Sequence, residues 1–141
     1  MEVITTEYFR KHLLSKGRDP DQFVETFFNW KKQGSAGEYT HPMFGKDAGF
    51  RGVTIHGVHS FKHTHLRPKN KAARKKWYHD LENKSIKTSD TFLLYVQNKD
   101  KFLLIAILDE PGAHDAVNNP VILKMFIDVA EEFINYGSTD F

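Results

Sequence analysis

The sequence predicts an α+β fold, in which a small antiparallel β-sheet is flanked by N-terminal helices and a C-terminal helix. Three observations predict it. Two segments near the start carry apolar residues at helical spacing between caps and stops. Two extended apolar runs then lie on either side of the short polar turn Asn98-Lys-Asp-Lys101, the pattern of an antiparallel hairpin. A last helical stripe follows the break at Pro111-Gly112. Helices kept apart from strands along a chain are the mark of the α+β class.

Each element has its own signal. Thr5 or Thr6 caps a first helix carrying Phe9 and Leu13, and Gly17 stops it. Asp19-Pro20 starts a second helix as cap plus first-turn proline. Phe23, Phe27 and Trp30 form its stripe, read as core packing, and Gly34 ends it. Residues 34 to 52 hold five further glycine or proline breaks after Gly34 and read as a loop. Val53 to Leu66 contains an extended run from Val58. Period two puts His59, Phe61, His63 and His65 on one face, with Val58, Ser60, Lys62, Thr64 and Leu66 on the other. Residues 67 to 87 are a basic, exposed connection, helical in part from Lys71 to Leu81. Thr91 to Asn98 and Phe102 to Leu108 are the hairpin strands. Asn119-Pro120 begins the last helix, whose apolar face carries Met125, Val129 and Phe133, and Gly137 ends it.

The 141 residues fit one domain, 1–141, able to close a single core. Twelve phenylalanines argue against disorder. The chain has no cysteine, which excludes disulfides, thiolate metal sites and a cysteine nucleophile. No signal-peptide pattern and no apolar run near the roughly 20 residues of a membrane helix are present. The expected location is therefore the cytoplasm, with no membrane partner. Net charge is only +2, but it is uneven. Positions 48 to 79 hold eight Lys or Arg, no Asp or Glu, and five of the eight histidines. Clustered cations suit a polyanion, because phosphate contacts release condensed counterions. The plainer reading is a solvated basic loop.

Four groups of residues are candidates for chemistry. His63-Thr-His65-Leu-Arg67 projects two imidazoles from one strand face, as metal ligands or as proton carriers. Lys87-Thr-Ser-Asp90 precedes the hairpin. It is either a turn, or a phosphate contact from Lys87 with Asp90 orienting a histidine. His114 lies between the last strand and the last helix, where sites are often displayed on loops. Gly45-Lys46-Asp47 offers close backbone approach, a cation and a carboxylate. No P-loop, His-Glu-x-x-His or Gly-x-Ser-x-Gly motif is present. Metal-free RNA cleavage needs a base for the 2′-hydroxyl, an acid for the leaving 5′-oxygen and cations for the phosphorane. His, Asp, Lys and Arg can fill those roles.

Several segments together resemble the YafO family of type II toxins. They are Phe44-Gly-Lys-Asp-Ala48, His63-Thr-His-Leu66, Thr88-Ser-Asp90 leading into Leu93-Leu-Tyr95, and Leu103-Leu-Ile-Ala-Ile-Leu108 followed by Pro111 and His114. Trp30-Lys-Lys and Val129-Ala-Glu-Glu-Phe133 are similar too, and the resemblance spans about positions 23 to 134. It implies a ribosome-dependent mRNA interferase, an endoribonuclease with mRNA, the ribosome and a cognate antitoxin protein as partners. It also implies a RelE-like fold with RNA across the sheet and no cofactor. Carried over by position, His63, His65, Asp90 and His114 are the expected catalytic residues, with no metal. Lys46, Asp47, Arg67 and Lys87 are the expected RNA-binding surround. Lys46 and Lys87 stand where the family more often has Arg, and the two differ in bidentate reach. Two other readings remain open from the residues. One is a metal-dependent hydrolase using His63, His65 and a third ligand among His114, Asp90 and His59. The other is a non-catalytic RNA- or ribosome-binding module.

Overall fold

The computed structural model describes residues 1–141. Its elements are β1 (Glu2–Thr5), α1 (Glu7–Ser15), α2 (Pro20–Lys32), a 3₁₀ turn (Gly34–Ala36) and α3 (Gly37–Thr40). They continue with β2 (Phe44–Gly49), β3 (Phe61–Leu66), α4 (Lys71–Glu82), β4 (Phe92–Asn98), β5 (Lys101–Leu108), α5 (Ala113–Asn118) and α6 (Pro120–Tyr136). This is the expected mixed α+β architecture. The five strands form one sheet in the order β1-β5-β4-β3-β2. Neighbours from β2 to β5 are antiparallel, while β1 runs parallel to β5.

The helix boundaries follow the caps. Thr6 accepts from the Phe9 N–H, and Asp19 accepts from the Asp21 N–H ahead of Pro20 at the first helical position. Asn119 accepts from Val121 and Ile122, again ahead of a proline, and Gly137 closes α6 in the left-handed conformation at φ 76°. Such caps satisfy backbone donors that the first turn leaves free.

The sheet is covered on both sides. Phe9, Leu13, Phe23, Phe27 and Trp30 of α1 and α2 pack on Leu93, Tyr95, Leu104 and Ile107. Phe126, Val129 and Phe133 of α6 pack on Phe92, Leu94, Val96, Leu103 and Ile105. A strand buried on both faces reads as a continuous apolar run, which is why Leu103 to Leu108 shows no alternation. A register shift opposite Leu94 and Tyr95 inserts an extra residue in β5, so that Ile105 and Ala106 both belong to the α6 side.

Four expectations change. Residues 34 to 52 are not a loop: they hold the 3₁₀ turn, α3 and the edge strand β2. β2 has little apolar alternation, and backbone pairing to β3 carries it. Its Gly45 is a close-approach glycine, because a Cβ there would collide with the Lys87 carbonyl oxygen. Second, the strand expected from Val53 is confined to Phe61–Leu66, and only an Ile55–Val58 bridge precedes it. Third, β1 was not expected; it is a short edge strand whose parallel partner lies about a hundred positions away. Fourth, His114 is in the first turn of α5 rather than in a loop. No helix is long and apolar enough to cross a membrane.

Candidate active site

The period-two reading of β3 decides which side chains meet. Phe61, His63 and His65 face the α6 side, while Thr64 and Leu66 face the other. α6 covers β4 and β5. On that same face, the imidazoles of His63, His65 and His114 gather around one phenyl ring, itself part of the core under α6. Their centroids lie 5.0, 4.6 and 4.7 Å from that of Phe92. His65 is 5.7 Å from His63 and 5.8 Å from His114. Lys46 and Ser89 line the same open cleft.

Asp90 links the segment before β4 to the segment after β5. Its carboxylate accepts from the backbone N–H of Gly112 at 2.6 Å and of His114 at 2.9 Å, and from His114 Nδ1 at 2.8 Å. It therefore caps α5, whose own cap residue is a glycine without a side chain, and aims the imidazole. A carboxylate only accepts, so Nδ1 carries the proton and the exposed Nε2 is free. Burial alone would raise the Asp90 carboxyl; the three hydrogen bonds outweigh it and hold it below the ordinary aspartate value.

His65 is set the other way. It is buried, and its Nδ1 accepts from the Ser89 N–H at 2.8 Å. A backbone amide only donates, so the proton sits on Nε2. Burial, then the neighbouring His63 and His114, push its pKa down to about 4. His65 is thus neutral at pH 7 and presents an N–H donor. His63 stacks on Phe50 with centroids 4.4 Å apart, and its Nδ1 is buried without a partner. Burial, opposed mainly by Asp47, lowers it too.

The remaining predicted residues are elsewhere. Asp47 follows Lys46 by one residue, and the strand pleat turns it to the α2 face. There Lys31 Nζ donates to it at 2.8 Å and the Tyr95 hydroxyl donates at 2.6 Å, while Lys31 also reaches the Tyr95 oxygen at 2.7 Å. Burial lowers the Lys31 pKa against the pull of Asp47, and burial with Asp47 raises Tyr95 well above its usual value. Lys87 has no exposed surface; its Nζ donates to the Glu38 carbonyl at 2.6 Å beside the Trp77 ring. Arg67 donates to the Tyr78 hydroxyl at 3.1 Å and lines a separate cleft. His59 lies outside β3, with Nδ1 3.0 Å from the Val53 carbonyl oxygen. No group of three His, Asp or Glu side chains is arranged to hold a metal ion.

Of the eight expected residues the structure brings five to one place: His63, His65, Asp90, His114 and Lys46. Sequence reading missed Ser89, Phe92 and Phe50, which line the same cleft. Ser89 acts through its amide, and nothing in a sequence reports that.

Against known families, the chain matches over residues 28–135 the one described as Toxin YafO, type II toxin-antitoxin system. That span contains the whole histidine cleft. No curated protein and no solved structure gave a match.

Proposed function

The chain belongs to the YafO toxin family of type II toxin–antitoxin systems, and on that premise we propose that it is an endoribonuclease cutting mRNA on the translating ribosome. A cognate antitoxin holds it in check, and the work is done in the cytoplasm. The observation that carries the reading is the Asp90–His114 pair, whose free Nε2 faces a cleft that also holds the His65 N–H and Lys46.

The parts fit metal-free cleavage. His114 Nε2 takes the proton of the ribose 2′-hydroxyl, and Asp90 stabilises the imidazolium that forms. The 2′-oxygen attacks the adjacent phosphorus and the bond to the 5′-oxygen breaks, leaving a cyclic phosphate and a 5′-hydroxyl. His65, neutral and fixed by Ser89, donates its Nε2–H to the phosphorane. Lys46 supplies positive charge and the proton for the leaving oxygen. His63 and Phe92 set the positions of the other rings, and Phe50 with His63 offers a flat surface for a base. A positioned base contributes about 10² to 10⁴-fold, and preorganised donors add a comparable share.

The test is to induce the protein with and without its antitoxin and map mRNA 5′ ends. New ends within translated frames, absent with His114→Ala and with the antitoxin present, are expected. Growth arrest without any new 5′ end would sink the nuclease reading.

A further inference from the structure

A second cleft, of about 390 Å³, lies at the same end of the sheet as the histidines but on the α1–α2 side. It is lined by Lys16 and Arg18 from the α1–α2 connection, Arg67 and Lys69 after β3, and Arg74 on α4. None of these five cations takes part in an ion pair. The cleft also holds two acids, and both are engaged. Asp109 lies 2.8 Å from His12 Nε2. Glu110 accepts from the backbone N–H groups of Lys69 and Asn70, the latter at 2.6 Å.

The arginines are held ready. Arg74 Nε donates to the Pro68 carbonyl at 2.9 Å, and Arg67 is braced by Tyr78. The Arg18 guanidinium rests over the Phe23 ring, 5.5 Å from its centroid. Burial lowers the Arg18 pKa; Asp109 opposes this and the Arg67 charge adds to it, which places the two guanidiniums within each other's field. Five cations against two carboxylates leave the cleft net positive, and guanidinium forks match phosphate oxygens. Arg67 is two residues beyond His65, about 7 Å of extended backbone. The Asp109–Glu110 segment leads within a few residues to His114.

We propose that this cleft is a phosphate subsite, in which Arg18, Arg67 and Arg74 grip the backbone of the same single-stranded RNA whose ribose lies at His114. The strand rounds the end of the sheet, from the histidine face to the arginine face. This rests on the RNA-cutting reading and extends the substrate contact beyond the scissile nucleotide.

The experiment is fluorescence anisotropy with an uncleavable 2′-O-methyl RNA ten-mer, titrated across KCl concentrations. Arg67→Gln and Arg18→Gln should each weaken binding about tenfold and lower the log–log salt slope by about one. Arg67→Lys should recover most of the slope, since charge is kept. Lys124→Gln, on the far face of α6, controls for net charge and should bind like wild type. If Arg18→Gln fails to fold, Arg67→Gln and the Lys replacements still decide. Wild-type affinity and slope in Arg67→Gln overturn the proposal. So does a loss of poly-glutamate binding in these variants with RNA binding intact, which would assign the cleft to an acidic protein. The ten-mer is never cut, so absence of ribosomal cleavage would remove the nuclease reading and leave this measurement standing.

Discussion

On the α1–α2 face of the sheet, Lys31, Asp47 and Tyr95 complete one another. Each charged or hydroxyl atom meets a partner within 2.8 Å, and aromatic rings close over the group. On the α6 face, three imidazoles cluster on Phe92 and leave their bonding unfinished. His114 keeps Nε2 free, His65 keeps an N–H to give, and His63 Nδ1 has no partner. Both clusters use polar residues inside an apolar sheet. The first is closed, so its bonds oppose only their own desolvation and fix α2 to β2 and β4. The second is open at His114 and His65, so the acceptor and the donor there remain for a substrate, while the unpaired His63 Nδ1 is buried. Completeness of hydrogen bonding separates the two polar clusters more clearly than residue type does.

The contrast can be broken from either side. The largest expected effect is on activity: His114→Ala should reduce cleavage by about 10² to 10⁴-fold while leaving the melting temperature nearly unchanged, because the side chain is exposed. Primer extension on ribosome-bound mRNA, paired with thermal melting, reads both. Asp47→Ala should do the reverse. It takes the shared carboxylate from the half-buried Lys31 ammonium and the buried Tyr95 hydroxyl, which keep only each other, and should cost about 3 kcal/mol in urea unfolding, with residual activity in whatever protein stays folded. A large activity loss at full stability in Asp47→Ala would move Asp47 into the site.

The open cluster also carries a pH signature. The folded pKa of His65 is about 4, below the roughly 6.5 of an unfolded histidine. Between those values the unfolded chain binds the extra proton and the folded one does not. Stability is therefore whole above about pH 6.5 and declines as pH falls toward 4, by on the order of 3 kcal/mol at most. Urea midpoints across that range should show the slope, and His65→Gln should flatten it. The smallest effect is expected for Lys87→Met. With the ammonium buried and committed to Glu38, the change should cost about 1 kcal/mol and leave RNA affinity and its salt slope as they are. A reduced slope would return Lys87 to the phosphate contacts.

Much of the frame was legible because its signals are local. Thr6, Asp19-Pro20 and Asn119-Pro120 mark helix starts by chemistry within three residues, and Leu103 to Leu108 marks a strand buried on both faces. β2 and β1 were not legible, since their stability comes from partners far along the chain. The histidine strand was legible by alternation, which put His63 and His65 together. Alternation also separates Lys46 from Asp47, but a segment read as a loop has no alternation to apply.

The sequence by itself determined the class of fold, the helix caps, and the residue types that gather at the histidine cleft. Tertiary structure alone decided which of them cooperate. Asp90 meets His114 across 24 positions and Ser89 fixes the His65 tautomer through its backbone. Lys87 is withdrawn into the interior, and Arg67 joins Arg18 in lining the second cleft. The physical reason is one of range. Caps and periodicity act within a turn or a pleat, whereas the free or satisfied state of a polar atom depends on neighbours that only the folded sheet brings within 3 Å or so.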